Sequence, residues 1–288
     1  MVITMLSIMH HVNALLSAYN PPRCFADEAL RFKQYLIHSS SGVGSNFTPM
    51  NQDCETVVHA AIFDLDGTLL DTESISSRSM EMVLRDYTDD YHISWELKKA
   101  ILGLRGSDWT QTVIDKKGIN GKLSPKDFFN EWEHHFHSLS PSIVKMKSAL
   151  ELVQHLKTKK IKLAIATSSS RESMVKKLEY HQDLYELMDL IVCGDDNELR
   201  RGKPHPDIYI LAANRLHVMP KHCLVFEDAL IGVQAGHAAN MIVIACPDAR
   251  VFRDDDLSSL ISYRKYSSVI VESLEYVDLN RWTFSARI

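Results

Sequence analysis

The chain has 288 residues, 45% of them hydrophobic and 24% charged, which is enough apolar material for one large or two ordinary globular domains with a true core. Lys plus Arg number 32 against 37 Asp plus Glu, and the resulting net charge of −5 argues against a nucleic-acid binder held by phosphate contacts. No uncharged apolar run reaches the ~18–20 residues that cross a bilayer, so neither a spanning helix nor a membrane partner is expected.

The first 56 residues read as an N-terminal extension of poor order. Its opening MVITMLSIMHHVNALLSAY is apolar but lacks both the basic start of a secretory signal and the arginines of a mitochondrial presequence. SSSGVGSNFTPMNQ (39–52) reads as a linker, with Met50 as an alternative start. VVHAAIFDLD (57–66) is then an apolar, β-branched run ending in acids, and predicts a buried strand. The next seventy residues hold no good strand. They carry helical patterns at 77–87, 94–102, 108–118 and 124–139, the last opening with Ser124 as cap, Pro125 in the first turn and Asp127 as a variant capping box. A crossover this long is no simple connection, so residues 76–147 are expected to form an inserted helical cap.

Further strands are predicted at 160–170, 188–196, 223–228 and 241–248, and helices at 148–159, 171–181, 206–218 and 229–240. Asn240 ends the last of these helices, where a left-handed residue is tolerated. Buried strands alternating with helices imply an α/β fold, a doubly wound parallel sheet, with residues 57–75 and 148–288 as core domain. Cys24, Cys54, Cys193, Cys223 and Cys246 are odd in number and form no CxxC pair, so neither a zinc site nor a disulfide framework is suggested. The last three lie in or beside apolar runs and read as small core residues in a reducing, cytoplasmic compartment.

In an open parallel sheet ligands bind beyond the carboxyl ends of the strands. Those ends here carry Asp64 and Asp66, Thr167 and Ser168, and Glu227 and Asp228, with Lys203 just before a helix. On a regular strand Asp64 and Asp66 would share a face, with Gly67 turning the chain after them. Converging carboxylates repel unless they share a cation or a proton. A third and fourth carboxylate from Glu227 and Asp228 make a hard divalent cation the natural solution, and carboxylates with waters suit Mg²⁺. Lys203, Thr167 and the Ser168 N–H would complete an anion site for a phosphoryl group. One aspartate could then act as nucleophile and form an aspartyl-phosphate, while the other serves as acid and then base.

FDLDGTLLDTE (63–73) resembles the first motif of the haloacid dehalogenase-like phosphatases, ATSSS the second, GKPHPD the third and VFEDALIGVQAG the fourth. The resemblance covers about residues 57–248, and the insertion after the first motif marks the helical-cap type. It implies Asp64 as nucleophile and Asp66 as acid/base, and Thr167, Ser168 and Lys203 as phosphate holders. It also implies Mg²⁺ held by the Asp64 carboxylate, the Asp66 carbonyl and the Asp228 carboxylate, with Glu227 acting through a water. Asp66 argues against dehalogenation, because true dehalogenases lack the second aspartate and need no metal. Within the family, GDDNELRRGKPHPD and its surroundings are most similar to pseudouridine-5′-phosphatases, plant-type glycerol-phosphate phosphatases and FMN-hydrolase domains. Ile231 and Asn240 depart from that pattern, which usually has Asn or Ser and Gly there.

The expected function is therefore a Mg²⁺-dependent, monomeric phosphomonoesterase for a small soluble ester. A nucleotide-like monophosphate such as pseudouridine 5′-phosphate comes first, and glycerol or sugar phosphate second. A phosphosugar mutase of the same family is the enzymatic rival, and an interaction protein on an inactive scaffold the non-enzymatic one. Arg105, between Gly103 and Gly106, is the candidate cap residue for contacting substrate, against an ordinary exposed loop arginine. Asp71 and Glu73 are expected to anchor the turn into the cap, and His134, His135 and His137 to form a solvated helix side rather than a ligand set.

Overall fold

A computed structural model describes residues 57–286 apart from 103, 105 and 254–256, so the expectations for residues 1–56 and for Arg105 lie outside the described residues. All five predicted strands are present: β2 (Ala60–Phe63), β3 (Lys162–Ala166), β4 (Leu190–Val192), β5 (Cys223–Glu227) and β6 (Ile242–Ala245). Each is shorter than its apolar run because the chain leaves the ladder where the polar end begins. Two further pairings go beyond the sequence expectation. β7 (Val269–Ile270) extends the sheet, and β1 (Val57–Val58) pairs with β8 (Thr283–Phe284). At two residues each, these strands leave no periodic signal.

The sheet is parallel throughout, in the order β4-β3-β2-β5-β6-β7. Successive strand side chains alternate faces, and that alternation divides the core in two. Ala61, Phe63, Leu163, Ile165, Leu224 and Phe226 belong to one buried cluster, with helix α5 (Ala149–Thr158) contributing Leu152, Val153 and Leu156. Ala60, Ile62, Ala164, Ala166, Val225 and Val243 belong to the other, with Tyr209 and Ala212 of α8 (Asp207–Arg215) and Val233 of α9 (Leu230–Ala238). Burial on both faces is what a doubly wound sheet requires of its strands. The chain leaves β2 toward β3 and β4, then returns past it to β5, so β2 is the switch point, and its carboxyl end opens between β3 and β5.

Between β2 and α5 lie the helices that the long interval predicted: α1 (Glu73–Leu84), α2 (Trp95–Ile101), α3 (Gly106–Lys117) and α4 (Pro125–Leu139). Ser94 caps α2 by accepting from Leu97 N, and Ser124 caps α4 by accepting from Asp127 N at 3.1 Å. The reciprocal arm at Ser124 differs from a capping box, for its hydroxyl donates to the Asp127 carboxylate rather than that carboxylate reaching a backbone N–H. α1 begins four residues earlier than predicted, with acidic Glu73 in its first turn, where the helix dipole favours it. Trp109 of α3 and Phe128, Trp132 and Phe136 of α4 are buried in one aromatic cluster. Shorter helices α6 (Arg171–Leu178) and α7 (Gln182–Tyr185) follow β3, and α10 (Arg250–Arg253) and α11 (Leu257–Tyr266) follow β6. Asn240 is left-handed at φ 58°, as expected for the end of α9. Among the described residues no helix is long and apolar enough to cross a membrane.

Candidate active site

The backbone leaves β2 at Phe63, so Asp64 and Asp66 both lie past the regular strand. Gly67 then turns the chain at φ +84°, and a Cβ there would overlap the Asp228 carboxylate. This local geometry alters the picture of two acids on one strand face, because each aspartate takes its own cation. Asp64 Oδ1 accepts from Lys203 Nζ at 2.6 Å, whereas Asp66 Oδ1 accepts from Lys177 Nζ at 2.6 Å. The Asp66 Oδ2 atom accepts from Ser169 Oγ at 2.8 Å and from Thr167 Oγ1 at 3.2 Å.

The end of β5 brings Glu227 and Asp228 against Asp64, and ligand oxygens of all three buried carboxylates lie within 4.8 Å of one another. Glu227 is fixed from three directions. Lys203 Nζ donates to Oε1, Tyr209 OH donates to the same oxygen at 2.8 Å, and Ala229 N donates to Oε2 at 3.0 Å. Gly232 leaves room for this carboxylate, since a Cβ there would overlap it. Asp228 Oδ1 accepts from Thr68 Oγ1 at 3.0 Å, and Tyr263 OH donates to the Asp228 carbonyl at 2.7 Å.

Among the described residues, three carboxyl groups thus share one ammonium, so ionising all three would leave two negative charges uncompensated in a buried place. Burial, opposed by Lys203 and reinforced by Glu227 and Asp66, pushes the Asp64 carboxyl up to about 8. Burial and the Glu227 and Asp64 charges hold the Asp228 carboxyl well above the usual carboxylate range. Burial pulls the Lys203 ammonium down, but Asp64 and Glu227 outweigh it and raise its pKa. Asp66 is the reverse of Asp64, for Lys177 overcomes burial and lowers its pKa. Buried hard oxygen donors that cannot all ionise without a further cation fit a divalent ion of the Mg²⁺ kind, which takes oxygen ligands in a compact set.

These groups floor a cavity of about 630 Å³. Asp64, Asp66, Ser168, Lys203, Glu227 and Asp228 all line it. Thr167 is wholly buried, with its hydroxyl turned to Asp66. Neither Thr167 nor Ser168 caps α6; Ser170 does, by accepting from Ser173 N. The wall facing this floor comes from the inserted helices and is apolar, with Met80, Leu104, Trp109, Phe129, Trp132 and Phe136. As expected, Asp71 anchors the turn by accepting from Ser74, and Glu73 pairs with Lys98. His137 accepts from Lys176, and none of the α4 histidines joins a candidate metal group among the described residues. Cys193, Cys223 and Cys246 are buried thiols.

Ser169, Lys177, Tyr209 and Thr68 escape the sequence reading. For Lys177 a signal existed: it falls on the α6 face whose other buried members are Ser173, Met174 and Leu178. A lysine on an inward stripe demands a buried anion.

Fold and site together define a parallel-sheet enzyme with an acidic, cation-ready floor at its topological switch point. Residues 61–246 match the family described as haloacid dehalogenase-like hydrolase. The chain is 34% identical over 245 residues to (DL)-glycerol-3-phosphatase 1, mitochondrial, of Arabidopsis thaliana, covering 82% of this chain and 81% of that one. It is 33% identical over 207 residues to a probable pseudouridine-5′-phosphatase of Drosophila melanogaster, covering 71% of this chain and 87% of that one. Its fold matches a β-phosphoglucomutase from Clostridium difficile with a TM-score of 0.64 at 20% identity, over 77% of this chain and 94% of that one. The protein belongs to the haloacid dehalogenase-like hydrolase family.

Proposed function

We propose that the protein is a Mg²⁺-dependent phosphomonoesterase that works through an aspartyl-phosphate on Asp64. The observation that carries this reading is the buried Asp64–Glu227–Asp228 cluster, three carboxyl groups to one ammonium, joined to Lys203 in one cavity. The Asp64 and Asp228 carboxylates and the Asp66 carbonyl would hold the cation, with Glu227 behind them through a water. When bound, Mg²⁺ supplies positive charge against the phosphoryl oxygens.

Asp64 forms a bond to phosphorus while the ester P–O bond breaks, and Asp66, in the form that carries a proton, gives that proton to the departing alcohol. Water then attacks phosphorus, Asp66 takes the water's proton, and the Asp64–phosphorus bond breaks, releasing phosphate. Lys203 balances charge on Asp64 before attack and on the phosphoryl oxygens afterwards. Ser168 completes the phosphate pocket, whereas Thr167, buried behind it with its hydroxyl on Asp66, holds that carboxylate rather than the phosphate.

The inserted segment, with bounds at 76–147, acts as a cap that excludes water and selects the alcohol. Its aromatic wall favours a ring-bearing monophosphate, with pseudouridine 5′-phosphate as the leading candidate, because a planar base can stack there. Glycerol phosphate is second, on the strength of the Arabidopsis relative. A cytoplasmic, monomeric enzyme completes the reading.

The test is phosphate release from a panel of nucleoside, glycerol and sugar phosphates, with Mg²⁺ and with chelator. Turnover that needs Mg²⁺ and is greatest on a ring-bearing ester supports the proposal. A requirement for a sugar bisphosphate would point to a mutase, and no turnover of any ester to a binding scaffold.

A further inference from the structure

The mechanism above gives Lys177 no part, yet it is among the most constrained side chains in the cavity. It is 4% exposed, its Nζ lies 2.6 Å from Asp66 Oδ1 and 2.7 Å from Ser169 Oγ, and Ser169 Oγ also reaches Asp66 Oδ2 at 2.8 Å. The three groups close a small ring of hydrogen bonds. On its other side the ammonium lies 5.3 Å above the Phe136 ring, which the inserted helix α4 supplies. Burying an ammonium is costly unless an anion and oriented dipoles replace its water. The anion here is the very carboxylate that must exchange protons with the leaving group and with water.

The placement has a second consequence. Asp66 sits two residues from Asp64 and would otherwise be free to turn toward the Asp64–Glu227–Asp228 cluster as a fourth carboxylate. Lys177 draws it to the α6 side of the cavity.

We propose that Lys177 is a positioning residue for ester cleavage: with Ser169 it fixes the Asp66 carboxyl at the place where the ester oxygen departs, and keeps it apart from the metal-binding carboxylates. This rests on Asp66 being the acid/base.

Leaving-group dependence tests it. p-Nitrophenolate departs without a proton, whereas an alkoxide needs one, so loss of a well-placed acid harms alkyl esters selectively. The ratio of kcat/KM for pseudouridine 5′-phosphate or glycerol 3-phosphate to that for p-nitrophenyl phosphate reports the cleavage step and cancels shared phosphate contacts. Lys177→Met, similar in volume, should lower kcat/KM on the alkyl ester by about 100-fold and on the aryl ester by less than about 5-fold. Lys177→Arg should recover a large part of the alkyl activity. Inhibition by inorganic phosphate should stay within about 3-fold of wild type in both, since binding of the phosphoryl group is not what is removed.

Asp66→Asn, run in parallel, should show the same asymmetry and more of it. Should Lys177→Met not fold, Ser169→Ala should show the asymmetry at about 10-fold, from loss of one hydrogen bond to a charged group. Equal losses on both esters, or a matching loss of phosphate inhibition, would overturn the positioning role. If Asp66→Asn is asymmetric and Lys177→Met is not, the proposal for Lys177 alone is wrong. If Asp66→Asn itself shows no asymmetry, the acid/base reading fails and the role of Lys177 fails with it.

Discussion

Two acidic clusters lie past the carboxyl ends of the strands, and they treat charge in opposite ways. In both, potential ligand atoms gather within 4.8 Å: Asp64, Glu227 and Asp228 in one, Cys193, Asp195 and Asp196 in the other. In the second the acids already have partners. Asp196 lies 2.6 Å from Arg171 and 2.6 Å from Arg215, and Asp195 accepts from the Arg171 N–H at 2.9 Å. Burial pushes the Cys193 thiol up to about 11, so it adds no charge at neutral pH. The first cluster has, among the described residues, a single ammonium for three carboxylates. Crowded acids do not by themselves make a metal site; what separates the two places is residual charge. One has a guanidinium on Asp196 from each side and fastens α6 to α8, while the other is left short of cations.

The most severe way to break the contrast is to remove the proposed nucleophile. Asp64→Asn keeps the shape and the Lys203 contact but cannot form a bond to phosphorus, so turnover should fall by at least about 10⁴-fold in a phosphate-release assay. Equal rates in the two proteins would remove the mechanism. Asp228→Asn should act less severely and through the cation: the Mg²⁺ concentration for half-maximal activity should rise by about 10- to 100-fold or more. The asparagine can still accept from Thr68, so the loss would report charge rather than packing.

The same substitution carries a stability signature. In chelator, Asp228→Asn removes a carboxyl whose pKa burial and the Glu227 and Asp64 charges raise on folding, a cost at pH 7, and should raise Tm by about 2–4 °C, the shift that about 1 kcal/mol gives in a domain of this size. With Mg²⁺ in excess the order should reverse, because wild type, binding more tightly, gains more binding free energy than the variant. A melting curve with and without Mg²⁺ reads both.

Where the sequence speaks clearly, the physics is local. An apolar run that ends in acids must be a strand whose end is wet or bound, so residue order alone puts Asp64, Glu227 and Asp228 at the carboxyl ends of β2 and β5. Lys203 is legible by its position ahead of a helix. The orientation of Asp66 is not, because it depends on how the chain leaves β2 and on Lys177, which approaches from a different element. The aromatic wall is hidden for a related reason. Trp109, Phe129, Trp132 and Phe136 follow helical spacing and read as core, and only the way α3 and α4 sit above the sheet turns part of that core toward the cavity. β7 and β8 are too short for a pattern to reveal them.

The mildest expected effect belongs to the arginine-paired cluster and has the opposite sign to that of Asp228→Asn. Burial pushes the Asp196 carboxyl up, but Arg171 and Arg215 outweigh it and hold its pKa below the ordinary value. A carboxylate whose folded pKa is depressed adds stability above its unfolded pKa of about 4, and that contribution fades as pH falls through the lower folded value. Both arginines face solvent in part, which limits the contribution to about 1 kcal/mol. Asp196→Asn should therefore lower Tm by about 2–4 °C at pH 7 without altering the Mg²⁺ requirement. The gap between the two proteins should close as pH falls below about 4. Denaturation curves at pH 7 and pH 3 decide it: a gap that persists in acid, or a changed Mg²⁺ dependence, would mean that Asp196 is not the balanced counterpart of Asp228.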